Sequence, residues 1–260
     1  MTASGPVSIQ SRQNPLLVRL RRLAADPAAY RRLGQVWIEG EHLCAALRQR
    51  GLAARQAVIT DAAWESHAGL RELAGSAERV VRVSDALFAG FSTLESPAAI
   101  GFVIDVPPRP DLLPQAASVV LDRVQDAGNV GSILRSAAAF GVQQVLSLKG
   151  TAALWSPKVL RAGMGAHFGL RLIEGLEPDA LIALRLPLVA TSSHTGVLLP
   201  QAPLPSACNW VLGHEGQGVD AALLERCDLT VRIPQPGGEE SLNVAAAAAV
   251  CLYESARRLQ

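Results

Sequence analysis

The sequence predicts an α/β protein whose larger, C-terminal part is a parallel sheet with helices on both faces. Three observations lead there. Short apolar runs recur after residue 115, helical patterns lie between most of them, and a proline-dense stretch divides this region from a smaller α/β unit before it.

In the smaller unit, "LLVRLRRLA" (16–24) has apolar residues at helical spacing with arginines between them, after the start signal Asn14-Pro15. A second helical pattern, "EGEHLCAALRQRG", is ended by Gly51. Apolar runs at 56–60 and 79–83 flank the helix-like "DAAWESHAGLRELAG", and "AAIGFVIDV" (98–106) reads as the last strand. "PPRPDLLPQ" then places four prolines within 107–114. Proline fixes φ and removes a donor, so a linker is expected there. Beyond it, strand-like runs fall at 118–122, 144–148, 170–175, 188–193, 210–213 and 229–234, with helical patterns at 129–140, 157–166, 178–185 and 219–226. Strands joined by crossover helices lie parallel, and ligands bind at the carboxyl ends of such strands.

With 260 residues, 49% apolar and 18% charged, the chain is globular in composition. The start "MTASGPVSIQ" lacks a basic-then-apolar leader, and no uninterrupted apolar run reaches the ~18 residues a membrane span requires. A cytoplasmic protein with no membrane partner is expected. Cys44, Cys208, Cys227 and Cys251 are scattered without a CxxC pair or zinc spacing, which points to reduced, buried thiols and no metal. Net charge is +1 overall, but residues 1–60 carry +6 and the remainder −5. An anion-binding surface in the first quarter is one reading of those arginines, and a solvated helix face is the other.

Three strand ends are chemically unusual. In "LDRVQDAGNVGSILRSAAAFG" (121–141), Gly128 and Gly131 flank Asn129 and a helix carries Arg135; a helix cap plus a surface arginine is the plain alternative. "VLGHEGQGVD" (211–220) invites a dinucleotide reading, but its glycines run GxxGxG, it falls late in the chain, and Glu215 would repel a pyrophosphate. "VRIPQPGGEESLNVAAAAAV" (231–250) sends a Pro/Gly loop and two acids into Ser241-Leu242-Asn243, ahead of a small-sided helix for which Ser241 is a candidate cap.

Taken together, these segments resemble motifs one to three of the SpoU (TrmH-like) branch of the SPOUT RNA 2′-O-ribose methyltransferases: N-x-G-x-x-x-R, L-G-x-E-G-x-G, and I-P with S-L-N-V. The resemblance covers residues 115–258. "SPKVLRAGMGAHF" (156–168) is similar to the family's intervening segment, with Gly163 where serine is more usual. Residues 13–47 resemble, more loosely, the small L30e-like RNA-binding domain that often precedes the catalytic one.

The resemblance implies an L30e-like domain at 1–106, a linker at 107–114, and a SPOUT domain at 115–260 whose C-terminal part forms a trefoil knot around S-adenosylmethionine. It places Thr191, Leu212, Gly213, Ile233 and Leu242 at the cofactor, and makes Asn129, Arg135, Glu215, Ser241 and Asn243 the catalytic group. Arg12, Asn14, Arg19 and Arg22 would bind RNA. The implied enzyme is a homodimer acting on ribosomal RNA, one subunit's Arg135 lying near the other's cofactor. A transfer-RNA 2′-O-methyltransferase and a non-catalytic RNA-binding protein are the alternatives. His214 is expected to support the loop backbone, and His167 and His194 to be ordinary histidines.

Overall fold

The computed structural model describes residues 5–237 and 241–259. In chain order the elements are β1 (Val7–Ile9), α1 (Pro15–Ala25), α2 (Ala29–Leu33), β2 (Gln35–Glu39), α3 (Glu41–Gln49), β3 (Gln56–Thr60), α4 (Asp61–Ser66), α5 (Ala68–Ala74), β4 (Val80–Val83), α6 (Asp85–Ala89) and β5 (Ile100–Asp105). There follow β6 (Ser118–Leu121), α7 (Ala127–Ala139), β7 (Gln144–Leu148), α8 (Pro157–Gly163), β8 (Arg171–Leu176), β9 (Leu188–Thr191), β10 (Val197–Leu198), β11 (Asn209–Leu212), α9 (Ala221–Leu224), β12 (Leu229–Arg232) and α10 (Val244–Arg258). Two compact units result: Met1–Pro108 with Trp155–Phe168, and Arg109–Leu154 with Gly169–Gln260.

The first unit is built on a five-stranded sheet of order β1-β4-β3-β5-β2. β1, β4 and β3 run parallel, while β5 is antiparallel to β3 and β2. α1 begins where Asn14 accepts the Leu16 N–H at 2.9 Å and Pro15 occupies the first turn, where its missing donor costs nothing. Its inner face buries Leu17, Leu20 and Leu23 and leaves the arginines outside. The expected helix over 61–75 is two helices meeting at His67, which ends one and begins the other. The strand β2 is new relative to the sequence reading: "QVWIE" is a short run leading straight into α3, and its strand character comes from pairing with β5.

The second unit's sheet has order β10-β12-β9-β11-β6-β7-β8, with every pairing parallel. Val120, Leu146, Ile173, Ala190 and Val211 form its buried cluster; each large apolar side chain so buried contributes about 1.5–3 kcal/mol. The 178–185 segment is a 3-10 turn over Pro178–Ala183 rather than an α-helix. The fully buried Gln144 accepts the Leu113 N–H at 3.0 Å and donates to the Leu113 carbonyl at 2.7 Å, so the end of the proline stretch is tied to β7. α10 is fastened by Trp210 Nε1, which donates to Ser255 Oγ at 3.0 Å, and by Arg258, which donates to the carbonyls of Ala202 and Leu199. Among the described residues no helix is long and apolar enough to cross a membrane.

Candidate active site

Because β12, β9, β11 and β6 are parallel neighbours, the segments leaving them emerge at one edge of the second unit's sheet. The residues singled out from motifs one, two and three lie at these ends or in the loops and helix starts that follow them, except Arg135, which is further along α7.

Motif one enters α7 through a cap that frees Asn129. The N-cap is Asp126, whose carboxylate accepts the Asn129 N–H at 2.9 Å. Asn129 therefore sits in the first turn with its side chain unspent. Its Nδ2 donates to Glu215 Oε1 at 3.1 Å, and its Oδ1 accepts from Asn243 Nδ2 at 2.9 Å. Asn243, not Ser241, caps α10: its Oδ1 accepts the Ala245 and Ala246 N–H groups at 2.9 and 3.3 Å. An asparagine serves both tasks because its amide carries donor and acceptor at once, which a serine hydroxyl two residues earlier cannot match. Ser241 is exposed beside it; Gly238 and the two acids that follow lie outside the described residues.

Glu215 accepts three hydrogen bonds, from the Gln125 N–H at 3.2 Å, the Asp126 N–H at 3.0 Å and Asn129 Nδ2. Desolvation opposes its ionisation, but the Asn129 side chain and the backbone donors outweigh that and hold its pKa below the ordinary carboxylate value. The carboxylate organises the start of α7 and contacts Asn129, not Arg135. Arg135 points outward, exposed, with no hydrogen bond or ion pair recorded among the described residues. Asn129, Glu215 and Asn243 are thus joined in one chain, while Arg135 and Ser241 stay outside it.

The motif-two loop is folded on itself. His214 Nδ1 accepts the N–H groups of Gly216 and Gln217 at 3.0 and 3.2 Å, and His214 pairs with Gly218 through their backbones. Gly213 is required by close approach, since a Cβ there would lie 2.1 Å from Gly218 C and Val219 N. Of the other histidines, His167 is buried and His194 exposed.

The five residues expected at a cofactor follow the same strand ends. Thr191 ends β9, with its hydroxyl donating to the Val211 carbonyl at 3.4 Å. Leu212 is buried at the end of β11, and Gly213 comes next. Ile233, half-buried, follows β12, and Leu242, 41% exposed, precedes α10. Sequence reasoning missed Gln235, whose buried Oε1 has no hydrogen-bond partner; its place in "IPQPGG" was the available signal. Leu212, Ile233 and Leu242 are apolar and Gln235 Oε1 is an open acceptor, a set of groups whose chemistry fits a nucleoside bearing an amino group. All four cysteines are free thiols, and burial pushes Cys208 and Cys227 up to about 11 and Cys251 to about 12. The described residues hold no cluster of His, Cys, Asp or Glu suited to a metal.

In the first unit, Arg12 and Arg22 are exposed, Arg19 donates to Gln35 at 2.8 Å, and Asn14 is committed to capping α1.

Residues 116–253 match the model of the SpoU rRNA Methylase family. Over 175 residues, 66% of this chain and 70% of the relative, the sequence is 37% identical to the 23S rRNA guanosine 2′-O-methyltransferase RlmP of Bacillus subtilis. A crystal structure described as an RNA 2′-O ribose methyltransferase superposes with a TM-score of 0.81 at 31% identity, covering 98% of this chain and 100% of that one. An S-adenosylmethionine-bound rRNA methyltransferase from Sinorhizobium meliloti superposes at 0.83 with 25% identity, over 97% of this chain and 98% of its own.

Proposed function

The chain belongs to the SpoU rRNA Methylase family, and from that premise we propose how its strand-end residues serve an S-adenosylmethionine-dependent 2′-O-ribose methyltransferase acting on ribosomal RNA. The observation that carries the reading is the continuous chain Glu215–Asn129–Asn243, which ties the three motifs together at one sheet edge.

S-adenosylmethionine, when bound, supplies an electrophilic methyl on a sulfonium sulfur. Thr191, Leu212, Gly213, Ile233 and Leu242 would hold its adenosine, with the open Gln235 Oε1 as a further acceptor. Glu215 is occupied by three donors and held ionised, so it is a poor proton acceptor; its work is to fix Asn129 and to place a negative charge beside a cationic ligand. Arg135 is ill suited to the role of a base, because its guanidinium presents only donors and no acceptor. Its exposed fork suits the phosphate next to the target ribose, which orients the 2′-hydroxyl. Ser241 offers a hydroxyl to the same ribose. As the 2′-oxygen takes the methyl group, the methyl–sulfur bond would break while the C–O bond forms, leaving a neutral thioether, and the hydroxyl proton would pass late to solvent water.

RNA engagement by Arg12, Arg19 and Arg22 is supported by the charge of the first quarter of the chain. Asn14 is better assigned to α1 than to RNA. A homodimer through the catalytic unit is supported by exposed Val250 and Tyr253 on α10, beside Phe140, whose ring meets Tyr253 at 6.1 Å. We also read the protein as cytoplasmic, where its substrate is made, and its C-terminal segment as a trefoil knot, consistent with a strand order that sets β11 between β9 and β6. Against a non-catalytic RNA-binding role stands the presence of Asn129, Arg135, Glu215 and Asn243 together.

The test is incubation of the purified protein with unmodified ribosomal RNA, transfer RNA and labelled S-adenosylmethionine, followed by mapping of 2′-O-methyl positions. Methylation of one ribosomal nucleotide, abolished by Asn129→Ala, is expected. Transfer to transfer RNA alone would move the substrate to the other branch, and cofactor binding without transfer would leave the non-catalytic role.

A further inference from the structure

Arg123 follows the end of β6 with φ +57, one of two non-glycine residues in the left-handed region among those described. Glycine or asparagine takes that conformation readily, whereas a long side chain is strained there and persists only where its surroundings hold it. Those surroundings are specific. Asp122, 3% exposed, grips the guanidinium with both oxygens, from Nε at 3.0 Å and from Nη2 at 3.0 Å. The aliphatic stem lies over Gly150, where a Cβ would approach Arg123 Cγ to 3.1 Å. Nη1 donates to Gln217 Oε1 at 3.1 Å, and Asp122 Oδ2 also accepts the Asp220 N–H at 2.7 Å. Asp122 and Arg123 together therefore reach both ends of the segment 217–220, immediately after Glu215.

We propose that Arg123 is a positioning residue that closes β6 onto the motif-two loop and so keeps Glu215 seated on Gln125, Asp126 and Asn129. The loop's own bonds, from His214 to Gly216, Gln217 and Gly218, make it a compact unit but tie it to nothing else. Among the described residues, its side-chain attachment to the 122–129 segment runs through two points, Glu215 on one side and the Asp122–Arg123 pair on the other. Releasing Gln217 from Arg123 frees the 214–217 part of the loop to turn about Gly213 while Asp122 still holds Asp220, and Glu215 moves with it. The catalytic part of this inference rests on the role given to Glu215 above; the mechanical part does not.

Two variants test it: Arg123→Gly, which accepts the backbone conformation without strain, and Gln217→Leu, which removes the acceptor and leaves the Asp122 pair in place. In both, hydrogen exchange at the Gln125 and Asp126 amides should quicken about tenfold; the melting temperature should change little in Gln217→Leu, where only a local opening is made easier, and should fall in Arg123→Gly, which leaves the buried Asp122 carboxylate without its cation. The methyl-transfer kcat should fall about tenfold with the RNA KM unchanged, and Arg123→Gly added to Glu215→Gln should cost nothing beyond Glu215→Gln alone. Unaltered exchange at the two amides in both variants overturns the proposal, as does an additive double variant. If the wild-type protein transfers no methyl group, the catalytic reading of Glu215 fails, and the exchange rates alone then decide whether the clasp exists.

Discussion

Asn129 and Asn243, 114 residues apart, face each other amide to amide, Asn243 donating to Asn129 at 2.9 Å. The direction of that bond is fixed from both ends. Glu215, a pure acceptor when ionised, turns the Asn129 nitrogen toward itself, and the α10 N–H groups, pure donors, turn the Asn243 oxygen toward them. Flipping the Asn129 amide would break two bonds and flipping that of Asn243 three.

Asn129→Asp should therefore be worse than its small size suggests. The new carboxylate would oppose Glu215, replacing a donor by a like charge. Methyl transfer is expected to fall at least about a hundredfold, as for loss of an aligned polar group in a reacting site, while circular dichroism shows α7 intact because Asp126 still caps it.

Asn243 separates structure from function by its two substitutions. Asn243→Asp keeps an N-cap oxygen but loses the donor to Asn129, so stability should hold to within about 0.5 kcal/mol, a difference typical between good caps, while kcat falls sharply. Asn243→Ala should lose activity and also about 1 kcal/mol of stability. Equal activity for Asn243→Asp and wild type would remove Asn243 from the catalytic group.

The pH dependence of the reaction should not come from Glu215. Its folded pKa lies below its unfolded one, so its contribution to stability is present above the ordinary carboxylate range and is lost only as pH falls through the lowered value. Between about pH 6 and 9 it stays ionised. The ratio of wild-type to Glu215→Gln rates should be flat across that interval; a slope would show that the carboxylate titrates during turnover.

Much of the second unit was legible because its strands are short apolar runs broken by helical spacing, and all six strand segments expected there are strands, with ends displaced by no more than two residues. β2 and β10 were not, since "QVWIE" and "VL" acquire strand form only from the neighbours that pair with them. Within the site, the polar residues announced themselves by type and spacing, but their bonding did not. The capping of α10 by Asn243 rather than Ser241 depends on where the backbone turns, and the contact of Glu215 with Asn129 instead of Arg135 depends on the outward direction of the latter along α7. Arg123 carried no sequence signal at all, because nothing local reveals a positive φ at an arginine.

Arg135→Lys keeps the charge but loses the planar fork. If the arginine grips a phosphate with two parallel bonds, kcat/KM for RNA should fall about tenfold or more, with S-adenosylmethionine affinity unchanged by calorimetry. Nearly full activity would exclude bidentate recognition.

Gly213→Ala probes the loop and not the nucleoside. A methyl group would meet backbone at 2.1 Å, so the loop must open. Melting temperature and cofactor affinity should drop together, whereas Leu242→Ala, at an exposed position, should lower affinity alone.

The sharing of residues 155–168 with the first unit has a bearing on synthesis at the ribosome. α8 packs against β2, and Arg161 donates to Thr93 at 3.0 Å, so the N-terminal unit lacks part of its own body until residue 168 has left the exit tunnel. By then β6 and β7 have emerged but still await β11, which pairs with β6 and is made last but one of the strands. Vectorial folding domain by domain is closed to such a chain. The nascent protein must carry an unfinished, apolar sheet edge while residues 122–212 are made, and non-local parallel pairing makes its closure slow.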